Sequence, residues 1–551
     1  MPNRLIRALL ALALTAGAMP AAVPAPPPHP KAGVELKDGW YHIKGRKFLV
    51  NAIGYESGAR PGEAPYGEAS RDLAQIRSDL KRIKEAGFNG IRTWSQMSEA
   101  ELKVVQASGL KVVFGIWLKP DEDFSDPKVV AEDLALVRRV LSYSRKYDCV
   151  ITYLIMNEPM PEHIRKVGAQ ATRELWTRTA DLIHQLHPGI PVTISGNTAI
   201  TEWLDMNLFD VYGRNAYDYK DGSNFTHGFT QSQRAITDAL GQGKPVLLTE
   251  FGRSVSRKGS GLYGGNSLQE QADAMLRYYR DILDSGATGL CPFYFADGWW
   301  KAGAPAVHDD EAEEWFGFIG FRDLKDSTGH PRPAWHALKQ YNTALITSPK
   351  NRQFYQNAVP VEAFCQPAVR KLRVVHQDRI LMELAPDAHG YISANLSFGD
   401  EGLKDREFVM EAYGANGRLL KTETLIVLTG KDPVQWPTLD LQVRAADPSI
   451  KREVPLELSI RNADGTFALD GELRCAFSHH KGWDRAEART RRIDPKQKEQ
   501  TLSEVYVLPE GSPMLSIYAG IDVRFGKFSR TIHAHRHVYP DAWAEPLRIK
   551  E

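Results

Sequence analysis

The chain has 551 residues, with 69 Lys plus Arg against 68 Asp plus Glu. A balance this even, with no basic stripe interleaved with aromatics, excludes a polyanion field and argues against nucleic acid as a partner. The length accommodates two or three domains, one of them as large as a closed α/β barrel.

The first residues read as a secretory signal peptide over 1–22. Arg4 and Arg7 supply a cationic start, Ala8 to Ala16 is a short apolar run, and Ala16-Gly17-Ala18 is a small-x-small cleavage site. The run falls well short of the ~20 residues that cross a bilayer. The expected product is therefore secreted or periplasmic, with no membrane insertion after cleavage, and begins with a Pro-rich linker over 23–36. Gly39 to Ile43 is expected to form a hairpin strand closing the bottom of the domain that follows.

From 37 to 348 short β-branched or aromatic runs alternate with longer amphipathic segments, the rhythm of β-α units around a parallel sheet. Eight strand candidates follow: Phe48 to Ile53, Gly90 to Trp94, Lys111 to Trp117, Val150 to Met156, Pro191 to Ser195, Val211 to Asn215, Pro245 to Thr249 and Gly289 to Phe295. Helices are predicted at Ser70 to Ala86, after the capping box Ser98-Glu99-Ala100-Glu101, and after the cap Asp126-Pro127. Further helices are predicted at His163 to Leu186, Thr230 to Leu240, Ser267 to Ser285 and Pro333 to Leu345. The count gives an α/β fold, a (β/α)8 TIM barrel. Over 349–551 the texture changes to period-two strands with turn signals such as Asn416-Gly417 and Asp470-Gly471, predicting a C-terminal β-rich region of one β-sandwich or two small ones. Lys481 to Gln500 reads as a solvated, charged loop.

Cys149, Cys291, Cys365 and Cys475 are too few and too widely spaced for a disulfide framework or a zinc cluster. An oxidising compartment permits one bridge, with Cys365 and Cys475 as the C-terminal pair, whereas Cys149 and Cys291 read as buried thiols. His227, His308 and His330 are scattered, so neither a metal nor another cofactor is expected.

Two carboxylates stand at the carboxyl ends of strand candidates, Glu158 after the fourth and Glu250 after the seventh. In a barrel that end carries the active site, and strands four and seven face each other across its mouth. Cleavage of a glycosidic bond needs such a pair, one protonated and one ionised, with pKa values pushed apart by their surroundings. Glu56 and Asn197, after strands one and five, face the same mouth as hydroxyl-binding candidates. Trp94, Trp117, Trp299 and Trp300 lie at or just past strand ends, where an indole can stack on a sugar face.

Asn157-Glu158-Pro159 and Thr249-Glu250-Phe251-Gly252 resemble clan A of the retaining glycoside hydrolases, over roughly Lys37 to Thr347. The resemblance extends to Gly87-Phe88-Asn89-Gly90-Ile91-Arg92, whose Arg would orient the nucleophile, and to Asn215-Ala216-Tyr217, whose Tyr would bond it. It implies Glu158 as acid/base, Glu250 as nucleophile and Asn157 as the holder of the sugar's 2-hydroxyl. Gly109 to Leu118 is similar to the third strand of family 17, which acts on β-1,3-glucans, and the short second β-α unit also suits family 72. Family 5 is a further likeness. Trp315 to Trp335 resembles the barrel end of family 2, whose N-terminal jelly roll has no room between Ala18 and Lys47. The implied activity is double-displacement cleavage of a glucan-type poly- or oligosaccharide. The alternatives are a transglycosylase using the same covalent intermediate and a non-catalytic carbohydrate-binding barrel.

Overall fold

The computed structural model describes residues 33–65, 72–159, 161–196, 208–217, 243–399, 401–443, 453–479, 487–510, 512 and 515–538. The signal peptide, most of the linker, the helix expected at Thr230 to Leu240, Asn197 and His227 lie outside the described residues.

Eight parallel strands form a barrel: Val50–Gly54, Gly90–Arg92, Lys111–Gly115, Val150–Asn157, Val192–Ser195, Tyr212–Asn215, Val246–Phe251 and Gly289–Pro292. They are called strands one to eight below. Strand eight returns to strand one with Gly289 opposite Val50, and a parallel bridge between Gly196 and Arg214 joins five to six. The expected order is reproduced, with ends shifted by a few residues. Strands one and seven are buried at every position, because a parallel sheet is covered on one face by helices and on the other by the barrel interior.

The outer helices start where short polar side chains satisfy their first amides. Ser98 with Glu101, and Ser267 with Glu270, form reciprocal capping boxes. Asp126 caps the helix that opens on Pro127. The single helix expected over His163 to Leu186 is instead two, Pro161–Val167 and Ala169–Leu186. They break at Gly168, whose φ of 97° lies outside helical space.

Val34–Lys37, Trp40–Ile43 and Arg46–Phe48 make a three-stranded antiparallel sheet under the barrel. Its Tyr41 is fully buried, and its hydroxyl meets Thr152 Oγ1 of strand four at 2.9 Å. The expected bottom closure is thus one phenol with its polar end satisfied inside the barrel.

The C-terminal region has two separate apolar cores, each between two sheets. In the first, Ala344–Ser348, Ala358–Cys365 and Tyr391–Ser397 face a five-stranded sheet that includes Lys404–Tyr413 and Leu419–Gly430. Ala344–Ser348, counted with the barrel on sequence grounds, pairs here with Ala358–Cys365. In the second, Thr438–Val443, Glu453–Arg461 and Glu499–Val507 face Glu487–Arg492, Ala468–Ser478, Leu515–Phe525 and Phe528–Val538. Glu487–Arg492 corrects the loop expected at Lys481 to Gln500. It is an edge strand, and charged side chains are how an edge remains in water without recruiting another strand. Cys365 and Cys475 belong to different sandwiches and all four thiols are free, so the bridge the compartment would permit is not formed.

The barrel rests on the first sandwich through a buried ion cluster. Glu423 accepts from Tyr341 Oη at 2.6 Å and pairs with Lys421 at 3.0 Å and Arg280 at 3.3 Å. Burial opposes ionisation of Glu423, but Lys421 and Arg280 outweigh it and hold the carboxyl at about 2, below its ordinary 4.5. A depressed carboxyl pKa stabilises above the ordinary value, so this contribution is present above pH 4.5 and is lost as the pH falls toward 2. Glu423→Ala leaves the buried Lys421 without a carboxylate and Arg280 with Asp284 alone, and is expected to cost roughly 3 to 5 kcal/mol in denaturant unfolding at neutral pH. A loss below ~1 kcal/mol would show that the cluster does not join the two units.

Candidate active site

Arg92 ends strand two inside the barrel mouth with no exposed surface. Its NH2 nitrogen reaches Asn157 Oδ1 at 2.6 Å, Ser195 Oγ at 3.1 Å and Glu250 Oε1 at 3.1 Å. Its guanidinium lies 3.9 Å from the centroid of the Trp94 ring. Glu250, the penultimate residue of strand seven, also accepts from Trp94 Nε1 at 2.7 Å and from Tyr217 Oη at 3.0 Å. Burial, with the Glu250 charge beside it, raises the Tyr217 phenol well above its ordinary 10, so it stays protonated as a donor. Both Glu250 oxygens are thereby engaged by donors, the environment that suits an acceptor-only carboxylate.

Glu158 follows strand four in a left-handed conformation, φ 47°, a strained geometry for a residue with a Cβ. Its backbone N–H donates to Ser195 O at 2.8 Å. Asn215 Nδ2 donates to Glu158 Oε1 at 2.9 Å, while Asn215 Oδ1 accepts from Thr249 Oγ1 at 2.7 Å. The order of strands thus becomes a chain of bonds from strand seven through strand six to Glu158. Burial, and next the Glu250 charge, push the Glu158 carboxyl up to about 7. Asn157 accepts from Arg92 through its oxygen.

The four tryptophans separate. Trp94 is a partner of Glu250 rather than an open platform, with 8% of its surface exposed. Space for it comes from Gly54, where a Cβ would stand 2.7 Å from the indole. Trp117 is half-buried against the cluster of Trp94, Phe293, Tyr294 and Phe316, and with Glu56 it lines a cleft of about 740 Å³ that begins at Trp94. Trp300 and Glu56 share a smaller recess beside Tyr294. Trp299 does not present a face to Glu250. It is 6% exposed and stacks on His308 with centroids 4.7 Å apart.

Sequence reasoning missed Glu313. It sits on a short turn, Ala312–Trp315, within the acidic run Asp309-Asp310-Glu311-Ala312-Glu313-Glu314, which by composition reads as surface. Here the run folds back to the mouth. Burial raises the Glu313 carboxyl against the pull of Lys301, and the charge of Glu250 adds to the rise. The only sequence signal was its place two residues before Trp315.

No family model matches the chain. It is similar to an endo-β-1,4-galactanase of Bacillus subtilis (strain 168), 24% identical over 226 residues. That match takes in 34% of this chain, and the chain spans half the length of the curated relative. Among solved structures, β-glucuronidase 2 of Bacteroides uniformis aligns with a TM-score of 0.46 and 13% identity, over 93% of this chain and 66% of that one. A β-glucuronidase of an uncultured Clostridium aligns at 0.45 and 18%, over 56% of this chain and 53% of that one. The named relatives are glycoside hydrolases.

Trp94→Phe keeps an aromatic ring at the position but loses the indole N–H, and with it one donor to Glu250. A hydrogen bond to a charged group is worth roughly 1.5 to 3 kcal/mol. The expected loss is ~10- to 100-fold in kcat/KM on an aryl glycoside that the chain cleaves, beside a loss of roughly 1 to 2 kcal/mol in unfolding stability from the smaller buried ring. Full retention of activity would deny that the indole N–H acts on Glu250.

Proposed function

We propose that the chain is a retaining glycoside hydrolase that cleaves β-glycosidic bonds of a poly- or oligosaccharide, with Glu158 as acid/base and Glu250 as nucleophile. One observation carries the reading. Two glutamates stand at the ends of strands four and seven, one bonded by Arg92, Trp94 and Tyr217, the other pushed up to about 7. Glycosidic cleavage by double displacement requires that difference: Glu250 attacks the anomeric carbon while Glu158 gives its proton to the departing oxygen, then takes one from water. Asn215 positions Glu158, Arg92 and Tyr217 position Glu250, and Asn157 is the candidate for the 2-hydroxyl.

The cleft beside Trp94 falls in the size range of ligand sites and extends the binding surface beyond one sugar, which favours a polymeric or oligomeric substrate. The third-strand likeness supports a β-glucan and the sequence relative, by its name, a β-1,4-galactan, so both belong in the substrate screen. Export to the periplasm or medium suits a substrate of that size.

The two glutamates are expected to fail differently. Glu250→Ala removes the nucleophile and should lower kcat on every substrate by roughly 10⁴-fold. Glu158→Ala should spare the first step for a phenol leaving group and stall the second, giving a burst and then slow turnover. Azide should restore that turnover as a β-glycosyl azide, and should give the α-azide with Glu250→Ala. The reverse pattern would exchange the roles, and no loss from either substitution would end the reading.

The raised Glu158 carboxyl also sets a pH limit. Because the proton must be present for the first step, kcat/KM should fall as the pH rises past about 7 for a substrate with a poor leaving group. An activated phenol should weaken that limb, and an unchanged limb would assign it to another group.

A further inference from the structure

The loop after strand eight brings a cation to the mouth that the catalytic reading does not use. The Lys301 ammonium lies 4.7 Å from the Trp300 ring centroid, 4.8 Å from Phe293, 5.5 Å from Tyr294 and 5.8 Å from Trp94. These are not remote rings. Trp94 donates to Glu250, and Phe293 and Tyr294 belong to the aromatic cluster against which Tyr217 packs. The ammonium is therefore one indole away from the proposed nucleophile. Yet among the described residues it makes no hydrogen bond and no ion pair within 4 Å, although it feels the charge of Glu313. Ring faces attract a cation but accept none of its three N–H donors in the way an oxygen does.

We propose that Lys301 is an anion anchor: it recognises an acidic substituent, a uronosyl carboxylate or a sulfate ester, on the sugar bound beside Trp94. The inference rests on the glycosidase reading of the site and names its substrate class as an acidic sugar. Three features favour it over a mere counter-ion. A lysine serving only to neutralise Glu313 would close on it as a contact pair, and this one does not. Glu250 already has its cation in Arg92, so Lys301 is surplus to the catalytic pair. A neutral hydroxyl offers a half-buried ammonium one weak acceptor, whereas a carboxylate or sulfate offers a charge and several oxygens. The acidity of the mouth does not forbid an anion, since the Glu158 and Glu313 carboxyls are both displaced by burial toward their neutral forms.

The test compares 4-nitrophenyl β-glucuronide and β-galacturonide, the 6-sulfo β-glucoside and β-galactoside, and the neutral β-glucoside and β-galactoside, on the full chain and on Lys301→Met and Lys301→Arg. Binding of free glucuronate, galacturonate, the two hexose 6-sulfates, glucose and galactose is measured in parallel by calorimetry. The expected result is a higher kcat/KM for one acidic class than for its neutral counterpart. That ratio should fall by at least ~10-fold in Lys301→Met, most of it in KM, and largely return in Lys301→Arg. The uronide and sulfate arms say which anion is read. A ratio that Lys301→Met does not move, with acidic sugars binding no tighter than neutral ones, overturns the proposal. Turnover of neutral glycosides alone leaves the hydrolase reading standing and removes Lys301 from it. Lys301-dependent binding of an acidic sugar with no glycoside hydrolysed does the opposite.

Discussion

The site is organised by one buried charge. A guanidinium with no exposed surface cannot be left without compensation, because removing it from water costs far more than any single contact returns. Arg92 answers part of that demand through its Nη2 alone, with oxygens from three other strands, Asn157 of four, Ser195 of five and Glu250 of seven, while Nε and Nη1 have no hydrogen-bond partner among the described residues. Strand two ends at Arg92 itself, so the side chain leaves the sheet where those strand ends converge. The flat face of the group is used as well, on the Trp94 indole, which in turn donates to the same Glu250. The compensation of Arg92 and the orientation of Glu250 are therefore one requirement. Room for it is bought with missing side chains: a Cβ on Gly54 would meet the indole at 2.7 Å, and one on Gly115 would meet the backbone of Thr93 and Trp94 at 2.4 Å.

From that constraint the division between the two glutamates follows. Arg92 is within 3.1 Å of Glu250, whereas Glu158 is bonded on its carboxylate by the neutral amide of Asn215. Two carboxyls of the same type in one mouth thus experience different fields. The cation and two further donors stand at one, while burial and the charge of the first act on the other. Burial is the larger cause of the rise at Glu158, with the Glu250 charge next and the pull of Arg92 the smallest of the contributions opposing them. Position matters as much as field, since Glu158, in a left-handed conformation, donates its backbone N–H to the carbonyl oxygen of Ser195, the same residue whose hydroxyl accepts from Arg92.

Periodicity made the barrel legible because each parallel strand is buried on both faces and reads as a continuous apolar run. The two glutamates of the mouth were legible as candidates because each follows such a run in the sequence, Glu158 after Ile151 to Met156 and Glu250 after Val246 to Thr249. What escaped the sequence is long-range. Gly168 splits a helix whose apolar spacing continues across it, since periodicity does not register a change of φ. Glu487–Arg492 is charged on both faces, and it is a strand only because Ala468–Ser478 offers it a partner along the whole length. Trp94 was legible as an indole at a strand end, but not as a donor to Glu250, because that bond depends on how closely strands one, two and three approach. Glu313 was invisible for the same reason: nothing in an acidic run says that it folds inward.

The loop after strand eight explains why two adjacent tryptophans differ. Its length between Pro292 and Pro333 would leave Lys301 and Glu313 poorly placed unless something fixed it, and the fixing groups are buried. Arg332 grips Asp297 through both carboxylate oxygens, at 2.8 and 2.5 Å, and Asp297 also accepts from the Gly317 amide. His308 lies between Trp299 and Trp315, with centroids 4.7 and 3.7 Å away. Burial, reinforced by Arg332, lowers that imidazole to about 4, so at neutral pH the stack carries no charge to be solvated. Trp299 thus braces the loop from inside, while its neighbour Trp300 lines the recess beside Tyr294 and carries Lys301 over its ring. The two glutamates sit at barrel strand ends, whereas Lys301 and Glu313 sit on a loop fixed by the Arg332–Asp297 pair, the His308 stack and hydrogen bonds from Ser254 and Ser256 to Ala312 and Asp310. None of those fixing contacts involves Arg92, so the loop and the buried charge of the mouth are held by separate sets of bonds.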